Sequence, residues 1–230
     1  MERPRRKTRR RRVSRTTLFQ LRSDPRDTPI YGVTEAAAYV GVARSTLRHW
    51  LATPRNGDPI IQTPTGSTEL SFYNLLEAHI LRVATERRVR LPRVRMTVEK
   101  LRERAPESPH PLLEHELFTG GPFRSVFIKS LSGDIEDIGR GGQFALRKLV
   151  SRFLTRIDFD QSGPYRLRPY NYRHVALDHR LSGGQPVVLG TGIMVEMIAR
   201  RHRAGETVEF LARDYHIHTA DVREAIKFAA

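Results

Sequence analysis

Apolar residues recur at helical spacing in two blocks, residues 31–105 and 183–230, separated by a stretch with strand-like alternation. In the first block Ala37, Ala38 and Val40 give a small apolar surface, with Thr34 expected to cap the helix and Glu35 favourable beside its positive end. Gly41 supplies the conformational freedom of a tight turn. Leu47, Trp50 and Leu51 then sit three and four apart, which turns one face of a second helix inward and leaves Arg44, Ser45, Arg48 and His49 outward. Ile60–Gln62 and Leu70–Phe72 read as two short strands about a Pro64–Gly66 turn. Phe72, Leu75, Leu76, His79, Ile80 and Val83 form a helical stripe over residues 72–88. A further helix starts at Pro92, a good first-turn residue, with Val94, Val98 and Leu101 inward.

The middle stretch opens on the proline-rich "APESPHP". "FRSVFIKSLSGDIEDIG" alternates apolar and polar residues around Gly133, the pattern of a hairpin. Phe144, Leu146, Leu149, Val150 and Phe153 suggest a helix, and "RIDFDQSGPYRLRPY" two strands about an Asp160–Gly163 turn. In the last block Pro186–Leu189 is a short apolar strand. Ile193, Val195, Ile198 and Ala199 mark a helix ended by Gly205. Thr207 starts another, with Val208, Leu211 and Ala212 inward. After a His216–His218 turn, Thr219 is expected to cap a last helix carrying Val222, Ile226 and Phe228. The chain divides into residues 1–30, 31–105, 106–182 and 183–230. The fold class is mainly α with short strands (α+β): an N-terminal winged helix-turn-helix, a mixed middle segment and a small C-terminal strand-plus-three-helix domain.

Charge changes this picture at one end. The 230 residues carry 40 Lys or Arg against 25 Asp or Glu, a net +15. Residues 1–15 hold nine of those cations, including Arg5, Arg6, Arg9, Arg10, Arg11 and Arg12, against the single acid Glu2. Self-repulsion and the lack of apolar residues predict an arm that is disordered when free. Its natural partner is a polyanion, bound in a salt-sensitive way; a solubilising tail or a mis-assigned start codon is the competing reading. The absence of cysteine removes disulfides, thiol catalysis and zinc fingers, and fits a reducing cytoplasm. No stretch approaches the roughly 18 apolar residues of a membrane span, and no apolar run follows the basic N-terminus as a secretory signal requires.

Catalysis finds little support. Asp134, Glu136 and Asp137, or Asp158 and Asp160, are conceivable metal-binding carboxylates, but acids beside turns are ordinary surface chemistry. "GRGG" lacks the lysine and spacing of a phosphate loop. His216 and His218 are not at zincin spacing, and no nucleophile motif is present. We expect no catalytic residues, no metal and no cofactor.

Helix, glycine turn, helix, wing and long helix in this order resemble the winged-helix DNA-binding part of the MerR class over residues 31–85. "GVARSTLRHW" is similar to that class's second-helix text. The resemblance implies that Arg44, Ser45, Arg48 and His49 read double-stranded operator DNA, in the way a recognition helix enters the major groove. The sequence departs from the class twice. Ala43 stands where a Ser or Thr cap is usual, a loss of about 1 kcal/mol. The wing carries no Arg, which moves the expected backbone contact to the arginine arm.

The stretch "GQPVVLGTGIMVEMIARRHRAGETVEFLARDYHIHTADVREAIKFAA" resembles the bacterial domain of unknown function 433 found in VapB-like antitoxins. The matching features are Gly184, Pro186, Val187, Gly190, Thr191, Ile193, Ala204–Gly205–Glu206 and Asp214–Tyr215. Residues 31–230 together resemble the long VapB-type antitoxins with a MerR-like head; the arginine arm lies outside that layout. The resemblance implies a type II antitoxin that binds and neutralises a PIN-domain ribonuclease toxin and represses its own operon. Helix-turn-helix proteins usually dimerise, so a homodimer is expected, with the 72–88 helix a candidate to mediate it. An antitoxin arginine could occupy the toxin's acidic metal site by a charge-assisted bond. Arg200, Arg201 and Arg203 are candidates for this, as is the arm; a solvated helix face is the competing and preferred reading. The alternative function is a stand-alone MerR-like transcriptional regulator with a sensor in residues 106–182.

Overall fold

In the computed structural model, residues 24–53, 58–63, 67–86, 91–113 and 155–230 are described. The arm with Arg5, Arg6, Arg9, Arg10, Arg11 and Arg12, the Pro64–Gly66 turn, the hairpin around Gly133 and the Phe144–Phe153 helix lie outside those residues. What is described is α+β, as the periodicities predict: seven α-helices and one four-stranded antiparallel sheet.

Helices α1 (Val33–Val40) and α2 (Arg44–Leu51) are joined by a three-residue turn. Helix α1 begins one residue before the expected Thr34 cap. Gly32 is the cap, and its N–H donates to the Glu35 carboxylate at 3.3 Å. The acid three residues on thus accepts the cap residue's own N–H, a different donor from the first-turn N–H that a cap hydroxyl would have bonded. Gly41 ends α1 at φ 76°, a left-handed conformation that favours glycine. Leu47 and Trp50 are buried under α2, contributing on the order of 2–3 kcal/mol each.

The two wing strands do not form among the described residues. The Ile61 N–H instead bonds the Trp50 carbonyl at 3.1 Å, and Leu70 pairs in an isolated antiparallel bridge with Tyr31. Phe72, read both as a strand end and as the start of the helical stripe, is the first residue of α3 (Phe72–Glu86). Ile60, Ile61 and Leu70 are all fully buried, so their apolar character serves the core rather than a projecting hairpin.

Twelve of the fifteen residues of α3 are buried, including Glu77, His79 and Arg82. A helix covered on all sides is a central strut. It is therefore not the surface the sequence suggested for dimerisation, because its own chain already encloses it. Helix α4 (Leu91–Arg104) packs Val94, Val98 and Leu101 inward as predicted.

Strands β1 (Ile157–Asp160) and β2 (Gly163–Leu167) form the expected hairpin. Strand β3 (Val175–Asp178) pairs with both β2 and β4 (Pro186–Val188), so the sheet runs in the order β1-β2-β3-β4 and crosses residue 183. Against this sheet pack α5 (Val195–Arg203) and α7 (Thr219–Phe228), and α6 (Val208–Asp214) packs on those two helices. Thr207 caps α6, its hydroxyl accepting from the Phe210 N–H. Helix α7 is entered from His218, not Thr219; the Asp221 carboxylate accepts the His218 N–H at 2.9 Å. As at Gly32, an acid three residues into the helix accepts the cap residue's own N–H. One apolar cluster joins the N-terminal helices to Ile157, Leu167 and Leu177, a second fills the C-terminal unit, and Phe228 packs against both. No described helix is long and apolar enough to cross a membrane.

Candidate functional site

The exposed side of α2 follows directly from its buried side. With Leu47 and Trp50 in the core, Arg44, Ser45, Arg48 and His49 all face solvent, as the spacing predicts. Arg44, Arg48 and His49 pair with no carboxylate among the described residues, whereas several arginines of the C-terminal unit do. Arg201 donates to both Glu206 and Asp214, and Arg203 pairs with Glu196. Of the three C-terminal candidates only Arg200 stands in solvent with no ion pair among the described residues. This is the disposition of a helix face laced by its own acids. Arg201 also lies 5.0 Å from the Tyr215 ring centroid and 5.9 Å from that of Phe210. Its guanidinium therefore organises the α5–α6 corner, where the half-exposed Phe210 borders a shallow groove with Thr207 and Arg213.

The turn ahead of α2 is held by a residue that helical spacing places outward but packing places inward. The Arg82 guanidinium donates to the Val40 carbonyl at 2.9 Å and to the Glu86 carboxylate at 2.6 Å. It lies flat on Tyr170, 3.1 Å from the ring centroid. A Cβ added at Gly41 would stand 2.9 Å from Arg82 Nη1 and 3.3 Å from Tyr170 Cβ. The loop between β2 and β3 is thus pressed against the α1–α2 turn.

A second clamp joins the head to the C-terminal unit. The Tyr31 hydroxyl donates to the Gly184 carbonyl at 2.7 Å in a fully buried position. Burial, reinforced by the nearby Glu35 charge, raises the Tyr31 phenol well above its usual range, so it remains a donor. Gly184 sits at φ 84°, and a Cβ there would come within 2.7 Å of that hydroxyl. Gly184, one of the positions behind the domain resemblance, is thus where the head docks.

Between α3, the Pro111–Leu113 turn and the Pro25–Asp27 turn lies a buried polar chain. His110 bonds Glu77 at 3.1 Å through Nδ1 and Asp27 at 2.8 Å through Nε2. Burial disfavours the charged ring, but the two carboxylates outweigh it and raise the His110 pKa. Burial raises the Glu77 carboxyl, against the opposing pull of His110 and Asn74. Beside this chain Asp24 is bonded by Arg26 and by the Tyr73 hydroxyl, and a cavity of about 430 Å³ opens between Asp24, Asp27, Tyr73, His110 and the β1–β2 turn. Nothing in the sequence pointed to this group, since His110 lies 33 residues from Glu77 and 83 from Asp27. Of the acids considered for metal binding, Asp134, Glu136 and Asp137 lie outside the described residues; Asp158 pairs with Arg166 and Arg168, and Asp160 with Arg180. Among the described residues no group of three His, Asp or Glu is placed to hold a metal ion.

Comparison with known proteins adds three findings. The family described as Protein of unknown function (DUF433) matches residues 175–229, which takes in β3, β4 and the three C-terminal helices. A crystal structure of Rv2018 from Mycobacterium tuberculosis is similar at a TM-score of 0.65 and 29% sequence identity, over 86% of this chain and 98% of that one. The protein named "Putative antitoxin VapB45", from the same organism, is 31% identical over 225 residues, 87% of this chain and 93% of that protein. With so much of both chains inside that alignment, the chain belongs to the VapB45 family of antitoxin-like proteins.

Proposed function

We propose that this chain is a DNA-binding antitoxin: it reads operator DNA through the outward face of α2, binds and neutralises a PIN-domain ribonuclease toxin, and represses its own operon. The observation that carries the DNA half is the four-residue polar face Arg44, Ser45, Arg48 and His49 on a helix whose other side is locked down by Leu47 and Trp50. A short helix fixed from behind, with uncommitted cations in front and a tight turn before it, is what groove recognition requires. The toxin half rests on the 31% identity to a protein named as an antitoxin. The chain then acts in the cytoplasm as a homodimer, with duplex DNA and the toxin as partners and no cofactor. Arg200 is the C-terminal candidate with charge left to offer a toxin carboxylate.

A tagged copy co-expressed with the product of the neighbouring reading frame tests this. The expected result is a stable complex whose ribonuclease activity is suppressed, and which binds the DNA upstream of the pair. Replacing Arg44 and Arg48 by alanine should abolish sequence discrimination without loosening the complex. A second reading, a stand-alone regulator with a sensor, is favoured by one observation, the 430 Å³ cavity at residues 108–113 and 159–164. Intact DNA binding with no co-purifying partner would select it.

A further inference from the structure

We propose that Arg156, which lies over Tyr170 beside the α1–α2 turn, and its backbone-bonded neighbour Arg168 form a contact site for the phosphodiester backbone of duplex DNA. This rests on the reading of α2 as a DNA-binding face and extends it to the sheet.

The fold brings two cations to one aromatic ring and a third beside them, the Arg168 backbone N–H donating to the Arg156 carbonyl at 2.8 Å. Arg82 lies 3.1 Å and Arg156 5.3 Å from the Tyr170 centroid. Arg168 is tied to the same corner, donating to the Thr155 carbonyl at 2.7 Å and the Asp158 carboxylate at 3.0 Å. The carboxylates do not keep pace with these charges. Glu86 serves Arg82, and Asp158 is shared between Arg166 and Arg168. Arg156 has no carboxylate in ion-pair range among the described residues; its Nη1 donates to the Pro169 carbonyl at 2.7 Å. A guanidinium carries five N–H donors in a planar fork, so among the described residues most of that fork is unspent. The Nε of Arg168 is buried and has no hydrogen-bond partner among the described residues.

Electrostatics point the same way. Burial first, and then the like charges of Arg168 and Arg82, lower the proton affinity of Arg156. A crowded set of guanidinium groups is relieved by an anion with several acceptor oxygens, which a phosphodiester supplies. Position selects the DNA backbone over a free anion. Tyr170 Cβ stands 3.3 Å from where a Gly41 Cβ would sit, and Gly41 precedes Arg44 by three residues. The cluster therefore borders the end of α2 that would enter a groove, where contacts to phosphate fix register. It also stands in for the wing, which carries no arginine and forms no strands among the described residues.

The test uses the full chain and two duplexes of equal length, one carrying the sequence upstream of its own gene and one scrambled, titrated across a potassium chloride series. Each of Arg156→Gln and Arg168→Gln should weaken both duplexes alike and flatten the slope of log K against log salt by about 1. Arg156→Lys should retain most of the slope. An unchanged slope in a folded Arg156→Gln, Arg168→Gln double variant overturns the site. The chain has no cysteine, so Arg156→Cys provides a single thiol if the glutamine variants do not fold. Either duplex should then slow its maleimide labelling, and labelling at the free rate overturns the proposal. If the unaltered chain binds neither duplex, the DNA reading itself falls. If Arg44→Ala with Arg48→Ala loses discrimination while the double variant keeps its slope, only this site falls.

Discussion

The ring of Phe228, at the end of the last helix, lies nearly parallel to that of Tyr39 in the first, centroids 5.3 Å apart and planes 16° from coplanar. Tyr172 meets the same Phe228 edge-on at 4.7 Å. The C-terminal unit is therefore packed into the head. Phe228→Ala should cost about 2–3 kcal/mol from lost area and ring contacts. Trp50 is the sole tryptophan and is buried beneath α2. Its fluorescence transition should shift to lower denaturant together with the far-ultraviolet signal; a Trp50 transition that stays in place would show the two ends to be uncoupled.

Gly41 presents two obstacles to a side chain. Its φ of 76° costs an L-residue on the order of 1 kcal/mol, and the new methyl would displace the Arg82 fork from the Val40 carbonyl. Gly41→Ala should lower stability by about 2 kcal/mol in urea titration. Pairing it with Arg82→Met should cost less than the sum of the two single changes, because both break the same bond; strict additivity would count against this account.

The His110 chain predicts a loss of stability on the alkaline side. A histidine whose folded pKa is raised stabilises fully below its unfolded value near 6.5, and that contribution disappears as pH rises through the folded value. The raised Glu77 carboxyl acts in the same direction. His110→Gln should cost about 2 kcal/mol at pH 6 and flatten the decline seen in the native chain between neutral and alkaline pH. A variant with the same decline would remove His110 as its source.

Asp24 contributes on the acid side, as does Asp178, whose burial is likewise outweighed, its carboxyl held low by Arg180 and Arg166. Burial opposes the ionisation of Asp24, but the Arg26 bonds and the Tyr73 hydroxyl hold its carboxyl down at about 2. The stability it provides is complete above its ordinary value and fades as pH falls towards 2. About a third of the side chain is exposed, so solvent screening leaves a contribution of about 1 kcal/mol. Asp24→Asn should lose that much at pH 7 and unfold less steeply in acid, as thermal melts across pH 2–5 would register.

Helices with one wet face were legible because three- and four-residue spacing is a local signal. Leu47 with Trp50, and Val94 with Val98 and Leu101, needed nothing else. The hairpin at Ile157–Leu167 was legible from its turn. Strand β3 was not, because all four of its residues are buried and alternation vanishes when both faces are covered. Arg82 and Glu77 were unreadable for a related reason: on a helix enclosed all round, polarity no longer marks the outside. The cap positions missed at Gly32 and His218 share one cause. At both, the carboxylate three residues into the helix fixes the entry by accepting the cap residue's own N–H, so the helix starts without a threonine hydroxyl at the cap. Contacts such as Tyr31 with Gly184 span 153 residues, and no local pattern encodes them.

The seams of the sheet set where this chain can be divided. Strand β4 is held to β3 over three register pairs, while β3 meets β2 over only two, Arg166 with Asp178 and Leu167 with Leu177. A fragment starting at residue 183 would expose the long seam as a raw strand edge, open to pairing with other molecules. One starting at residue 175 parts the short seam instead, and residue 175 is where the family match begins. Two paired strands and three helices are thus the module that recombination could move between proteins, and β3 must travel with it.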